Sequence, residues 1–423
     1  MVEEITLSNG LRLVAEEAPW QQGVSFGLFV RGAVVDEPLG QEGIAHLLEH
    51  LVFKGTQNYR GAALSAAIEE DGGELNAYTT KEYTCLWGRT LPDVFARQME
   101  ILAELFQRPL LRPRDLQREV QVIEEEHALW LDSAEEFACD LLEEEIFQGS
   151  ALGRRVLGSP EALRRLSAQD VRAFHAAHWR LERCVLAVSG PVSPQAAAQL
   201  AERAFSPAAP APLRRAQHGK ASASSALPSH ISQVHLAVGG PALAFQDPGL
   251  GAQELLIQEF GGGPNSRLFQ RLREQEALSY GIYSYETAYA GGGMWGVYAD
   301  LPPDGLQAGL VAILEEADAL RRARLGEGRI ALMRRSACGA LRLSQDSPFA
   351  RVERHALQVL LRGRAETLAA EIAQLQAVDG SAIRRLAQHL FAPARLRCVA
   401  LLPDGRVLRG GVQEIADWEV GVS

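Results

Sequence analysis

The chain has 423 residues, which is too long for one ordinary hydrophobic core and indicates two or three domains. Hydrophobic residues make up 47% of it and charged residues 22%, a balance typical of a globular protein rather than a disordered or membrane one. The formal net charge of −11 at pH 7 argues against a nucleic-acid partner, because binding to a phosphate backbone requires a basic surface.

Three features indicate the cellular compartment. Residues 1–17 carry four acidic side chains and no long apolar run, so they lack the basic start and apolar middle of a secretory signal. No run of about 18 apolar residues occurs elsewhere, so we expect no membrane span. The five cysteines form no closely spaced pair, which favours reduced core thiols in the cytoplasm over a disulfide framework or a zinc finger.

The first pattern with chemical content is GIAHLLEHLVF, residues 43–53. His46 and His50 stand four residues apart, so on a helix they point the same way and can share one metal ion. The apolar neighbours indicate a buried helix, in which Glu49 would be costly without a partner such as a cation or its bound water. Zinc suits imidazole and carboxylate ligands. A pair of core histidines beside a stray acid is the alternative interpretation.

The segment GGELNAYTTKEYTCLWGRTL, residues 72–91, is rich in β-forming residues and bounded by glycines, which predicts an edge strand. An edge strand has unpaired backbone groups, so an extended peptide can add to it through main-chain hydrogen bonds. An ordinary sheet edge without a ligand would have the same sequence. The next segment, LPDVFARQMEILAELF, predicts a helix.

An acid-rich helix is predicted over residues 114–132. At about 100° per residue, one apolar face collects Leu116, Val120, Val122, Ile123, Leu129 and Trp130. Glu119 and Glu126 fall near the centre of this face, whereas Glu124 and Glu125 fall outside it. An interior carboxylate stays ionised only if it is paired or bound to metal, so one of Glu119 and Glu126 is a natural third ligand. A solvated acidic face is the alternative, and it suits Glu124 and Glu125 better.

The middle of the chain, residues 206–229, is rich in Pro, Ala and Ser and predicts an interdomain linker. A helix followed by a strand is predicted before this linker, and the same order recurs near the C-terminus, where Cys398 corresponds to Cys184 about half a chain earlier. LPPDGLQAGLVAILEEADAL likewise matches the helix after residue 91. We therefore predict two similar α+β domains, residues 1–205 and 230–423, each with a mainly antiparallel sheet covered by helices on one face.

These motifs resemble one family. HLLEH followed by the Glu119 and Glu126 pair is similar to the inverzincins, the pitrilysin and insulin-degrading-enzyme family of zinc metallopeptidases, and to its short two-domain, processing-peptidase-like members. GLRLVAEE, EHLVFKGT, GGELNAYTTKEYT and SRLFQRLREQEALSYGIYS resemble family segments in family order. The resemblance thus extends over most of the chain, with no departure at the metal or base positions.

The resemblance implies a zinc site with one ion per chain. His46, His50 and Glu126 would bind the metal, and Glu119 would support the site without binding the ion itself. Zinc would polarise a scissile carbonyl and lower the pKa of its water to about 7. Glu49 would be the general base, which takes the proton and later delivers it to the leaving amine.

The resemblance also implies substrate contacts. Asn76, Ala77 and Tyr78 resemble positions at which the family holds its substrate. Arg273 and Tyr280, in RLREQEALSY, resemble an Arg and Tyr pair contributed to the active centre from the opposite half of the molecule. The Arg could hold a carbonyl or carboxylate, and the Tyr could donate to a developing oxyanion. Without the resemblance, Arg273 would be interpreted as a solvated helix residue and Tyr280 as a strand residue.

The resemblance further implies an endopeptidase that acts on peptides or unfolded segments. The C-terminal domain has no second zinc motif, because its corresponding segment, AQELLIQEFGGG, contains no histidine. A chain of this length resembles half of the family's larger clamshell enzymes, which implies a homodimer in which Arg273 and Tyr280 of one subunit face the zinc of the other. The alternatives are a non-catalytic scaffold or processing partner of the same fold, and a zinc hydrolase acting on another bond.

Overall fold

The computed structural model describes residues 2–207, 231–322 and 324–418. These residues form two compact units, each with its own β-sheet and packed helices. The predicted α+β class with two sheet-and-helix domains is confirmed. Residues 208–229 of the predicted linker lie outside the described residues, and the domain boundaries beside it stay predictions.

The first unit contains a six-stranded sheet. Its strands are β1 (Val2–Thr6), β2 (Arg12–Glu17), β3 (Val24–Val30), β4 (Glu74–Thr79), β5 (Thr84–Thr90) and β6 (Cys184–Gly190). They are arranged in the order β1-β2-β6-β3-β5-β4, so β4 lies at an edge, as predicted for this segment. Every neighbouring pair is antiparallel except β2 and β6, which are parallel.

The second unit contains a five-stranded antiparallel sheet. Its strands are β7 (Val234–Ala242), β8 (Ile282–Tyr289), β9 (Gly292–Leu301), β10 (Arg397–Leu401) and β11 (Val407–Gly411). The order in the sheet is β11-β10-β7-β9-β8.

The α-helices follow the apolar periodicity of the sequence. They are α1 (Ile44–Val52), α2 (Ala62–Glu69), α3 (Phe95–Gln107), α4 (Pro113–Asp132), α5 (Ala134–Ile146), α6 (Pro160–Leu163), α7 (Ala168–His178), α8 (Pro194–Ala204), α9 (Leu250–Gly261), α10 (Leu306–Arg322), α11 (Glu327–Ser344), α12 (Pro348–Leu357), α13 (Leu368–Ala377), α14 (Gly380–Leu390) and α15 (Val412–Trp418). Ser167, Ser193 and Ser347 accept N-terminal backbone N–H groups of α7, α8 and α12. The matching helices predicted after residues 91 and 301 are α3 and α10.

Each unit includes a helix from the other half of the chain. Residues 343–367, which contain α12, belong to the first unit, and residues 128–149, which contain α5, belong to the second. α12 packs on β3 and β6, and α5 packs on β7 and β10. Strands β3 and β6 are buried along their whole length. The sequence predicted helices on one face of each sheet. The structure adds a helix, α12, that covers the second face of the first sheet.

The apolar face predicted for α4 is only partly correct. Leu116, Val120, Ile123 and Trp130 are buried, but Val122 and Leu129 are 40% and 70% exposed. The buried stripe is centred on Ile123, and the two exposed side chains lie roughly 100° or more around the helix from it. The apolar stripe of this helix is consequently narrower than the sequence pattern suggested.

An ion pair fastens α12 to the first sheet. The Arg351 guanidinium donates to both carboxylate oxygens of Glu16 on β2, over 2.9 and 2.7 Å, and His355 Nε2 lies 3.8 Å from Glu16 Oε2. Burial acts to raise the pKa of Glu16, but the interactions with His355 and Arg351 outweigh it and lower the pKa to about 2. Glu16 therefore stays ionised and paired at neutral pH.

Replacing Glu16 should weaken the attachment of α12. We expect Glu16→Gln to lower the free energy of unfolding at neutral pH by on the order of 2 kcal/mol, because Arg351 loses its charged partner in a largely buried position. The folded pKa of Glu16 lies below its ordinary value of 4.5, so this contribution is present above pH 4.5 and is lost as the pH falls towards 2. Urea unfolding of both proteins at neutral pH and near the acid end of this range measures the difference.

The matched control is Glu17→Gln, which removes an exposed neighbouring carboxylate from the same strand. It should leave the unfolding midpoint unchanged. A Glu16→Gln protein as stable as the wild type at neutral pH, or a difference that grows on acidification, would contradict this account.

Candidate metal centre

The helix that carries the histidine pair begins at a glycine with left-handed backbone. Gly43 has φ +93°, a conformation that favours glycine, and α1 follows directly. The carboxylate of Glu37, which is fully buried, accepts the N–H groups of Gly43 at 3.1 Å and Ala45 at 3.0 Å. Burial raises the pKa of Glu37 to about 8, while the two N–H groups act in the opposite direction. Glu37 thus fixes the start of α1, a role that the sequence analysis missed.

His46, His50 and Glu126 converge on one point in the first unit. Ligand atoms from the three side chains all lie within 4.8 Å of one another. His46 Nε2 is 3.8 Å from Glu126 Oε2, and His50 Nε2 is 3.5 Å from Glu126 Oε1. Tetrahedral bonds of about 2.0–2.1 Å to zinc place ligand atoms roughly 3.3 Å apart. Two imidazole nitrogens and a carboxylate at these separations fit a zinc ion.

Glu119 is not one of the three converging side chains, but it contacts one of them, His50. Its Oε2 is 3.3 Å from Nδ1 of His50, and its Oε1 is 2.9 Å from Nζ of Lys54. Because Nδ1 of His50 faces Glu119, Nε2 is left to face Glu126. A carboxylate that accepts the second ring N–H of a ligand histidine orients the ring and makes it a better ligand. Lys54, which the sequence analysis did not single out, holds Glu119 from its other side.

The protonation of His46 suits metal binding. Burial is the main cause that lowers the pKa of His46 to about 3, and the neighbouring His50 and His127 act in the same direction. The imidazole of His46 is therefore neutral at physiological pH. A neutral imidazole has a free lone pair, which is the form that binds a metal ion.

Glu49 of α1 is held by a hydrogen bond from the neighbouring strand β4. The hydroxyl of Thr79, at the end of β4, donates to Glu49 Oε2 at 2.6 Å. Burial raises the pKa of Glu49, the Thr79 hydrogen bond and nearby His50 oppose this rise, and the charge of Glu126 adds to it. Thr79 is a further residue that the sequence analysis missed, although it directly follows the three residues singled out for substrate binding.

The three predicted substrate residues lie on two faces of β4. Ala77 packs against the hydrophobic core of the first unit, on the same side as Thr79. Asn76 and Tyr78 alternate with them and point to the opposite face, where the Tyr78 hydroxyl donates to Glu353 Oε1 at 2.6 Å. Of the three side chains, that of Ala77 lies on the same face of β4 as Thr79, whose hydroxyl contacts Glu49.

Arg273 and Tyr280 are neighbours in the second unit. The guanidinium of Arg273 lies 4.5 Å from the centre of the Tyr280 ring, and that ring is 76% exposed. The backbone N–H of Tyr280 donates to Asp300 Oδ1 at 2.9 Å, which fixes the main chain beneath an exposed side chain. The structure therefore brings the predicted pair together.

The described residues of the second unit contain no comparable ligand group. α9 occupies the place of the AQELLIQEF segment, and its buried Glu259 is paired with Arg329. Within the described ranges, the cluster of His46, His50 and Glu126 is the one that has the composition and spacing to hold a metal ion. Over the same ranges, no helix combines the length and apolar character needed to cross a bilayer.

Two domains of one protein family match consecutive parts of the chain. Residues 12–160 match "Insulinase (Peptidase family M16)", and residues 165–336 match "Peptidase M16 inactive domain". The first match contains the whole candidate metal centre.

Related proteins and solved structures agree with these matches. An uncharacterized zinc protease of Streptomyces coelicolor is 33% identical over 328 residues, which cover 75% of this chain and 71% of that protein. The uncharacterized zinc protease YmxG of Bacillus subtilis is 28% identical over 400 residues, which cover 92% and 96%. A protease from Helicobacter pylori has the same fold, with a TM-score of 0.86 at 20% identity over 95% of this chain and 99% of that one.

The fold and these relatives define a class, the zinc-protease-like proteins built from two α+β domains. Within that class, the chain belongs to the insulinase family, peptidase family M16. The family resemblance drawn from the sequence is confirmed.

Proposed function

We propose that the protein is a zinc-dependent endopeptidase that hydrolyses peptides or unfolded segments. The observation that carries this proposal is the convergence of His46, His50 and Glu126 beside Glu49. Two neutral nitrogen ligands and one carboxylate leave a coordination position open, which is the composition of a catalytic rather than a structural zinc site. The zinc proteases among the relatives support the same activity.

In the proposed reaction, His46, His50 and Glu126 would hold one zinc ion per chain. A bound zinc ion would supply Lewis acidity toward the scissile carbonyl and the attacking water. Glu49 accepts a proton from that water and donates it to the leaving amine. Glu119 keeps His50 in the orientation that presents Nε2.

Substrate would be held in extended form along the open edge of β4. Main-chain hydrogen bonds to a strand edge are largely independent of side-chain identity, which suits peptides of varied sequence. Arg273 and Tyr280 would complete the centre from the second subunit of a homodimer. Arg273 would hold a carbonyl or carboxylate of the substrate, and Tyr280 would donate to the developing oxyanion.

The second candidate is a non-catalytic scaffold or processing partner. It is favoured by one observation, the match of residues 165–336 to a domain described as inactive. That match does not include the candidate metal centre, so the peptidase remains the primary proposal. We also propose a cytoplasmic location, which is supported by the five free cysteines.

Zinc binding tests the ligand set directly. Wild-type protein should bind about one zinc ion per chain, because two imidazoles and one carboxylate are ligands that suit zinc. His46→Ala, His50→Ala and Glu126→Gln should each lower zinc affinity by at least 100-fold, and Glu119→Gln by roughly 10- to 100-fold. Competition with a chromophoric chelator measures the affinities. Glu125→Gln, an exposed neighbour on the same helix, is the control; unchanged binding in all three ligand variants would refute the assignment.

Glu49→Gln separates catalysis from metal binding. We expect it to lower the rate of peptide cleavage by at least about 100-fold, because the amide cannot accept a proton, while zinc affinity stays close to that of the wild type. The assay follows cleavage of an unstructured fluorogenic peptide, with a zinc chelator as control. A Glu49→Gln protein of nearly full activity would exclude Glu49 as the base, and a wild-type protein that binds zinc but cleaves no peptide would favour the scaffold.

Mixed dimers test whether subunits share active centres. Arg273→Ala and Glu49→Gln chains should each be inactive alone, but random pairing should restore about a quarter of wild-type activity, because half the dimers then contain one complete centre out of two. Co-expression with two different affinity tags provides the mixture. Pairing Glu49→Gln with His46→Ala is the control, since both defects concern the same part of the centre. No recovery in the first mixture would contradict sharing.

A further inference from the structure

A chain of hydroxyl groups leads from the sheet to Glu49. Thr79 on β4 and Thr84 on β5 are direct partners in the strand pairing, and their hydroxyl oxygens lie 3.2 Å apart. The Thr79 hydroxyl donates its single proton to Glu49 Oε2. Thr79 then accepts from Thr84, whose side chain is buried. The direction of both hydrogen bonds is therefore determined.

On the opposite face of β4, a hydrogen bond joins the strand to helix α12. Tyr78, next to Thr79, donates to Glu353 of α12 at 2.6 Å, and its ring lies edge-on to that of Tyr83 at 6.1 Å. Edge strands pair on one side only, so their main chain is less constrained than that of central strands. The contact with Glu353 limits movement of β4 and with it the position of the Thr79 hydroxyl.

Glu49 depends on this support. A free glutamate side chain samples many rotamers, whereas a general base has to be held within about 0.5 Å of its working position. Among the described residues, Thr79 is the one that hydrogen-bonds Glu49, and it does so through Oε2, so that Oε1 has no hydrogen bond from the protein.

We propose that Thr79 is a positioning residue for Glu49: its hydroxyl holds Oε2, so that Oε1 is the atom that accepts the proton from water. This inference rests on the proposed function, because it assigns the orientation of the same base. It also means that the strand proposed to bind substrate is the strand that holds the base.

Two substitutions at one position test the inference in the zinc-loaded, full-length protein. Thr79→Val removes the hydroxyl at nearly constant shape and should lower kcat roughly 10- to 100-fold, the loss expected for a hydrogen bond to a charged group. KM and zinc affinity should stay within about twofold to threefold of wild type, since no ligand or main-chain contact changes. Thr79→Ser keeps the hydroxyl and should recover most of kcat.

The matched control is Thr287→Val, the same exchange at an exposed position on the edge strand β8 of the second unit. It should leave kcat unchanged. Crystal structures of the zinc-loaded Thr79 variants give a readout independent of turnover: the Glu49 carboxylate should keep the wild-type rotamer in Thr79→Ser and adopt another, or several, in Thr79→Val.

The outcomes separate the two proposals. Unchanged kcat or an unchanged Glu49 rotamer in Thr79→Val overturns the positioning role, and so does a Thr79→Ser protein as impaired as Thr79→Val, because packing rather than the hydroxyl would then be responsible. A wild-type protein without chelator-sensitive cleavage overturns the proposed function itself, and the positioning role falls with it.

Discussion

The candidate site depends on the cost of keeping ionisable groups away from water. Helix α1 places two imidazoles and a carboxylate in a largely apolar segment, where each polar atom requires a partner. The structure supplies most of those partners from separate elements: Glu126 and Glu119 from α4, Thr79 from β4, and Glu37 from the loop before the helix. Nδ1 of His46 is the exception, since it is buried and has no hydrogen-bond partner among the described residues. Each of these contacts satisfies a buried group, and together they define where a cation would be bound.

The same requirement explains which parts of the site were visible in the sequence. The spacing of His46 and His50 follows from helix geometry alone, and carboxylates two turns apart on a second helix mark that helix as a source of ligands. Thr79 and Glu37 could not be found in this way, because their partners are set by tertiary packing and by the register of strand pairing. A threonine near a strand end and an acid in a loop have no periodicity that distinguishes them.

The elements of the fold also divide into those that the sequence predicts and those that it does not. Local patterns were sufficient for α1, α3, α4 and the edge position of β4, since apolar period and turn residues determine these elements. The sequence could not predict that α5 and α12 each pack in the unit formed mainly by the other half of the chain, because the apolar face of a helix does not determine which sheet it packs against. The exposure of Val122 and Leu129 has a related cause, since the width of a buried stripe depends on what packs against it.

The exchanged helices make equivalent contacts in both units. In the first, Tyr78 of the edge strand β4 donates to Glu353 of α12; in the second, Tyr283 and Tyr289 of the edge strand β8 donate to Glu135 and Glu143 of α5. The internal duplication therefore includes a tyrosine-to-glutamate contact between an edge strand and the helix behind it. In both units this contact joins segments that are far apart in the sequence.

This connectivity has a consequence for biosynthesis. The sheet that carries β3 and β6 obtains its second cover only when residues 343–367 have left the ribosome, so the half with the candidate metal centre waits for most of the chain before its interior is closed. During that interval the apolar face that α12 later covers is open to solvent, and exposed apolar surface of this kind is what chaperones bind. Separate expression of the N-terminal half would leave this face without α12, and separate expression of the C-terminal half would leave the second sheet without α5.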